Sequence, residues 1–310
     1  MNLNKLWIDT DTASDDAVAL MIALSLAPER VAGISTVAGN VPVHLSSRNA
    51  AYTARLCEFE TLIHEGAASP LCRTLETAQH IHGEDGMGDI GLDLGSADLS
   101  GIPAAVALVE AARQHKGELE VVTLGPLTNI ALALKLDPDF AGNIAKMTIM
   151  GGTSDCYGNV TPVSEFNIWA DPEAADVVFR SAIPKVMVGW DISRKYAGIS
   201  NTDAEELLAI GTSKAKVAVN SQKVLREFCS STSGVEGFDL PDPITMAAAL
   251  NPSVITEVKP YAVRVVCGEG PSRGLTILKD RHCNDEPKTT QVALTADRTI
   301  FWQMLQEALK

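Results

Sequence analysis

The segment Asp9-Thr-Asp-Thr-Ala-Ser-Asp-Asp-Ala-Val18 brings together four carboxylates: Asp9, Asp11, Asp15 and Asp16. Apolar Leu6-Trp7-Ile8 before it reads as a buried strand, and the apolar run Ala17–Leu26 after it reads as a helix. Four carboxylates at one strand-to-helix turn repel one another, and some must hold protons unless a cation or a proton-sharing role relieves them. A hard, oxygen-seeking ion such as Ca²⁺ or Mg²⁺ is the natural relief. A helix N-terminus also favours acids, with Ser14 as its cap and Asp15 and Asp16 in its first turn. That accounts for one or two of the carboxylates and leaves the others unexplained, so a metal site is expected.

The elements that must hold this turn follow a strand, turn, helix repeat. Val31–Val37 leads through Ala38-Gly39-Asn40 to a helix near Ser46–Glu60, Leu62-Ile63 is a short strand, and Pro103–Gln114 is a helix. Val121–Leu124 turns at Gly125-Pro126 into a helix over Leu127–Leu136, and Met147–Met150 ends in Gly151-Gly152. Asp171-Pro172-Glu173 opens a further helix with Asp171 as its cap, Val186–Val188 ends in Gly189-Trp190-Asp191, and Arg298–Leu309 closes the chain as a helix. This alternation predicts an α/β fold with a single open, mostly parallel, Rossmann-like sheet flanked by helices. Tyr261–Cys267 and Leu275–Leu278, around Gly268-Glu-Gly-Pro271, add a small C-terminal antiparallel hairpin. No repeat or linker divides residues 1–310, so one domain with inserted loops is expected. In open parallel sheets ligands bind beyond the carboxyl ends of the strands. The acidic turn, Gly39-Asn40, Gly125-Pro126, Gly151-Gly152 and Trp190-Asp191 all fall there.

Asp9-Thr-Asp11-Thr12 after a hydrophobic strand also resembles the D-x-D-x-T nucleophile loop of haloacid-dehalogenase-type phosphatases, and Gly88-Asp-Ile-Gly-Leu-Asp93 mimics that group's later acidic motif. The mimic comes early, has no apolar strand before it, and lacks a lysine companion. The consecutive Asp15-Asp16 is foreign to that pattern.

A longer series occurs in order: Asp-x-Asp-x-x-x-Asp-Asp-Ala-x-Ala, Thr36-Val-Ala-Gly-Asn40, His82-Gly-Glu-Asp-Gly86, Leu124-Gly-Pro-Leu-Thr-Asn129, Met150-Gly-Gly152, Gly158-Asn159, Glu165-Phe-Asn-Ile-Trp-Ala-Asp-Pro-Glu-Ala174 and Asp242-Pro243. Together these resemble the nucleoside hydrolases of the inosine-uridine-preferring type, from Asp9 to about Asn251. The resemblance implies calcium-dependent hydrolysis of the N-glycosidic bond of a ribonucleoside. It implies Ca²⁺ held by Asp11, Asp16, the Leu124 carbonyl and Asp242, an oxygen-only set that suits calcium. Asp11 would also be the general base on a metal-bound water. Asp15, Asn40, Asn159, Glu165 and Asn167 would grip the ribose, and Asp9 would support the turn. Taken alone, Asn40 and Asn159 are turn residues beside glycine, Leu124 is a buried strand residue, and Asp242 is a helix cap.

The base end is less defined. Many relatives carry a histidine directly before the late metal-binding aspartate, whereas this chain has Pro241, which donates no proton. His82, Trp190, Tyr196 and Phe238 are the base-pocket candidates, each also readable as core or rim packing, and Arg194 and Glu236 stay open. A calcium-dependent nucleoside-binding protein without turnover is the non-enzymatic alternative, against which the retained Asp11 argues.

The formal charge of -14, from 39 acidic and 25 basic residues, argues against nucleic acid or an anionic membrane as partner. The six cysteines at 57, 72, 156, 229, 267 and 283 form no C-x-x-C pair and are expected to be idle reduced thiols. Met1-Asn-Leu-Asn-Lys5 runs straight into the first strand, so no signal peptide and a cytoplasmic location are expected. The resemblance further implies a homodimer or homotetramer.

Overall fold

A computed structural model describes residues 4–233, 236–279 and 288–310. Cys283 lies outside the described residues, and the other five cysteines are free thiols. Among the described residues there are eleven strands: β1 Lys5–Thr10, β2 Val31–Thr36, β3 Ile63–Glu65, β4 Leu119–Thr123, β5 Ile144–Met150, β6 Lys185–Val188, β7 Gly198–Ile199, β8 Phe238–Asp239, β9 Ile255–Val265, β10 Thr276–Lys279 and β11 Thr290–Ala296. The helices are α1 Ser14–Leu26, α2 Val43–Leu56, α3 Gln79–His82, α4 Ala104–Gln114, α5 Thr128–Leu136, α6 Phe140–Asn143 and α7 Phe166–Ala170. They continue with α8 Pro172–Arg180, α9 Trp190–Tyr196, α10 Asn201–Ala209, α11 Ser213–Asn220, α12 Lys223–Ser233, α13 Pro241–Leu250 and α14 Arg298–Ala308.

Nine strands form one sheet in the order β10-β9-β11-β6-β5-β4-β1-β2-β3, and β7 pairs with β8 in a separate ribbon. From β3 to β11 all pairings are parallel, and β9 and β10 extend the edge antiparallel. The expected architecture is thus present, with one addition. β11, which the sequence analysis did not mark, is a parallel strand beside β6 and joins the hairpin to the sheet.

The chain leaves β1 for β2 on one side and later returns to β4 on the other, so strand order reverses at β1. A crevice opens at such a reversal, beyond the carboxyl ends of the strands. The pleat of β1 sends Leu6 and Ile8 into one apolar layer and Trp7 into the other. α1 is buried along its length from Ser14 to Leu24, which is why its sequence is apolar on every side. It lies under α13, α2 and α14.

Two terminal assignments differ from expectation. Ala13 rather than Ser14 occupies the N-cap position of α1. Its N–H donates to the Asp16 carboxylate at 2.9 Å, so the Asp side chain supplies the cap and Ser14 is released for other bonds. At α13 the cap position is Leu240, with Pro241 opening the helix and Asp242 in its first turn. Proline there needs no N–H partner and presets the helical φ.

Candidate active site

Each acid of the turn has its own surroundings. Asp9 lies near the carboxyl end of β1, level with Ser35 of β2 and Thr123 of β4. One of its oxygens accepts from the Ser35 hydroxyl at 2.5 Å and from Asn129 Nδ2 at 2.8 Å, and burial raises its carboxyl to about 6. Walled in by these donors, Asp9 braces β1 against β2 and α5. Its other oxygen is buried without a partner. Asn129 also donates to the Thr36 carbonyl at 2.9 Å and accepts from Ala67 N–H at 2.9 Å. The motif quoted above contained this residue, but its bracing role shows only in the fold.

Asp11 lies in the crevice with no solvent exposure. Its Oδ2 accepts the Asn40 N–H at 2.6 Å, and its Oδ1 is buried with no partner. The turns after β2 and β4 close on it. A Cβ on Gly39 would stand 2.1 Å from Asp11 Oδ2, and one on Gly125 would stand 2.7 Å from Oδ1. These two turns carry glycine because the carboxylate lies against their backbone. Burial and the Asp16 charge push the Asp11 carboxyl well above the usual range.

Asp15, Asp16 and Asp242 converge, all buried, with ligand oxygens within 4.8 Å of one another. Asp16 accepts from the Thr10 hydroxyl at 2.5 Å and from Ala13 N–H, with Asn40 Nδ2 at 3.4 Å. Asp15 Oδ1 is buried and unpartnered. Burial holds the Asp15 carboxyl up at about 6 and raises Asp16. Burial, and then the charges of Asp16, Asp15 and Asp11, push Asp242 well above the normal range. Among the described residues no lysine or arginine pairs with these four groups. The nearest base is His82, with Nδ1 at 3.8 Å from Asp15 Oδ1, and burial lowers its pKa to about 4, so it is neutral at neutral pH. All-oxygen donors, mutual repulsion and orphaned buried oxygens together fit a hard divalent cation.

The remaining site residues surround this cluster from other elements. Leu124 is buried just past β4, and its carbonyl accepts Asn167 Nδ2 at 2.6 Å, leaving one lone pair for a further partner. Glu165 caps α7 and accepts the N–H groups of Gly152, Asn167 and Ile168 at 2.9, 2.9 and 3.3 Å. Burial nevertheless lifts its carboxyl to about 7. Asn159 is exposed on the loop before it, accepting the Phe166 N–H at 2.9 Å. Asp171 caps α8 as expected and also accepts from Thr128 and Leu71 N–H at 2.7 and 2.9 Å.

The base-pocket candidates divide. His82, ending α3, exchanges a 2.9 Å hydrogen bond with the Ser14 hydroxyl, which bonds Gln222 at 2.9 Å. It therefore stands against the carboxylates, and Gln222 is a partner that nothing in the sequence pattern marked. Trp190 opens α9 half-buried with its N–H on the Gly152 carbonyl, while Tyr196 packs on the apolar layer beside α1. Phe238 is buried in that same layer with the Arg226 guanidinium 6.0 Å from its ring centre. Of the open pair, Arg194 binds Asp155 at 2.7 Å, and Glu236 accepts from Asn201 at 3.1 Å.

A mostly parallel α/β sheet carries, at its switch point, a buried all-carboxylate cluster that could hold a metal ion. Comparison with known proteins narrows it. The family model described as "Inosine-uridine preferring nucleoside hydrolase" matches residues 6–303, and the chain belongs to that family. It is similar to uridine nucleosidase 1 of Arabidopsis thaliana, with 36% identity over 82% of this chain and 76% of the relative. Its fold matches the solved plant nucleoside hydrolase PpNRh1 with a TM-score of 0.92, at 30% identity over 99% of both chains. A purine-preferring ribonucleoside hydrolase from Gardnerella vaginalis matches with a TM-score of 0.90, at 30% identity over 98% of both. The protein is a nucleoside hydrolase, an enzyme that cleaves the N-glycosidic bond.

Proposed function

We propose that the chain is a calcium-dependent ribonucleoside hydrolase that releases ribose and free base, with Asp11 as its general base. The observation that carries this reading is the convergence of Asp15, Asp16 and Asp242, with Asp11 near enough to act on Asp242 by its charge and with Asp11 Oδ1 and Asp15 Oδ1 buried and unpaired. Asp11, Asp16, Asp242 and the Leu124 carbonyl are the proposed Ca²⁺ ligands. Asp15 completes the closest carboxylate trio, and its unpaired oxygen is assigned to a ribose hydroxyl. When bound, Ca²⁺ supplies positive charge that offsets these carboxylates, keeps Asp11 ionised and can take hydroxyl oxygens as ligands.

Asp11 accepts a proton from the water that adds to the anomeric carbon as the bond to the base breaks. The Asn40 N–H occupies Oδ2, which leaves the unpartnered Oδ1 as the proposed accepting atom. Positive charge developing on the sugar is favoured by the surrounding carboxylates. Asn40, Asn159, Glu165 and Asn167 bind the ribose hydroxyls, with Glu165 fixed by three backbone donors. Pro241 offers the leaving base no proton, and His82, Trp190 and Tyr196 are the side chains proposed around it. Relatives named for uridine and for purines are both similar to this chain, so both base classes belong in the assay.

The test is release of reducing sugar from a panel of purine and pyrimidine ribonucleosides, with Ca²⁺ and after chelation, and with Asp11→Ala as control. Release from at least one riboside that disappears in the variant and without Ca²⁺ is expected. No release from any riboside would sink the hydrolase assignment for these substrates, and an unimpaired Asp11→Ala would remove the base. Phosphate release from p-nitrophenyl phosphate would instead point to the phosphatase reading.

A further inference from the structure

The β9–β10 hairpin belongs to the sheet edge, yet its turn packs against the segment that carries Glu165 and Asn167. Arg273, only 8% exposed, lies between β9 and β10. Its guanidinium sits 4.0 Å over the Trp169 ring, and its Nε donates to the Trp169 carbonyl at 3.0 Å. Its Nη1 pairs with Glu76 Oε1 at 3.2 Å, and its own carbonyl accepts the Ser164 hydroxyl. At Gly274, with φ of 78°, a Cβ would stand 2.6 Å from Trp169 Cα, so the hairpin backbone rests directly on the α7 backbone.

Ser164 and Trp169 flank the stretch that contains Glu165 and Asn167. α7 has five residues, too few to hold an orientation by its own hydrogen bonds, so its direction must be imposed from outside. Glu76 lies on the loop that leads into α3 and His82. Arg73 on that loop adds a second tie, bonding Glu173 at 2.9 and 2.7 Å, Glu269 at 2.5 Å and the Cys267 carbonyl.

We propose that Arg273 is a positioning residue for the reaction: through Trp169, Ser164 and Glu76 it sets Glu165 and Asn167 toward the ribose and holds the loop that carries His82. This rests on the reading that Glu165 and Asn167 bind the ribose. The planar guanidinium is required, because it stacks on the indole while its edge bonds a carbonyl and a carboxylate, which a lysine ammonium cannot do together.

The experiment compares Arg273→Lys and Arg273→Met with wild type, using a ribonucleoside that wild type cleaves. Glu165→Gln tests the ribose reading, and Lys185→Met serves as a stability control far from the site. The readouts are KM, kcat and melting temperature. Both Arg273 variants should raise KM about tenfold with a smaller change in kcat, the signature of lost substrate binding. Lys185→Met should lower the melting temperature while KM stays within about twofold. If Arg273→Met does not fold, Arg273→Lys carries the comparison. A wild-type KM in a folded Arg273 variant overturns the proposal, as does an equal rise in Lys185→Met. An unchanged KM in Glu165→Gln overturns the ribose reading instead, so the two failures are separable.

Discussion

Replacing Gly39 by alanine tests whether the crevice is built around the Asp11 carboxylate. Gly39 does not have a positive φ, so alanine meets no backbone penalty there. Its Cβ would, however, stand 2.1 Å from Asp11 Oδ2 and 2.7 Å from Pro126 Cδ. Real Cβ contacts need at least about 3 Å, so the carboxylate must move by about 0.9 Å or the turn must open. Either movement stretches the 2.6 Å bond from Asn40 N–H and re-aims Oδ1. A misplacement of about 1 Å at reacting groups costs about a hundredfold in rate, near 2.7 kcal/mol of transition-state stabilisation. Overpacking adds about 1–3 kcal/mol of lost stability, partly offset by about 0.4–1 kcal/mol from the stiffer unfolded chain. The assay is reducing-sugar release with a responsive ribonucleoside at saturating Ca²⁺, alongside thermal melting. Gly142→Ala is the matched control, since nothing lies within 4 Å of its added Cβ, and it should leave the rate unchanged. If Gly39→Ala folds and keeps a rate within about twofold of wild type, the argument that Asp11 must sit in this place fails.

Other outcomes follow from the same geometry. Saturating Ca²⁺, at about a thousand times its dissociation constant, should stabilise the chelated protein by about 4 kcal/mol and raise its melting temperature by roughly 8 °C; no shift in scanning fluorimetry would refute cation binding at the cluster. Glu165, raised from 4.5 to about 7, contributes stability that is fully present below its unfolded pKa and is lost as pH rises through about 7. Glu165→Gln should therefore flatten the fall in melting free energy between pH 4.5 and 7 by about 3 kcal/mol, and an unchanged slope would reject that shift. Lys185 is buried, with Nζ on the carbonyls of Phe179 and Ser181 at 3.4 and 2.9 Å and on Thr289 Oγ1 at 3.1 Å. Lys185→Met should cost about 1–3 kcal/mol in denaturant unfolding, because these acceptors lose their donor, and a neutral result would contradict that accounting.

The acidic turn and the glycine-marked strand ends were legible because their residue types carry the signal locally. Four carboxylates between an apolar strand and an apolar helix are more than a helix N-terminus accounts for, and glycines after successive strands mark the carboxyl ends of a parallel sheet. Helix termini differ from the local reading. Ser14 looked like the cap, but Asp16 takes that role, because the helix begins one residue earlier and Ser14 faces His82. Pro241 read as a missing proton donor, and the fold adds that it opens the helix carrying Asp242.

By itself the sequence determined the alternating α/β plan, the acidic turn, and most of the residues that the family's motifs name. These depend on periodicity and on side-chain type, which are local properties of a chain. Only the tertiary structure decided that Asp242, far along the chain, joins Asp15 and Asp16, or that Asn129 braces Asp9. It alone placed Gly39 and Gly125 against the Asp11 oxygens and set the Arg273 hairpin on α7. Those contacts join segments that sequence spacing cannot relate, since burial and strand order, rather than any local preference, bring them within bonding distance.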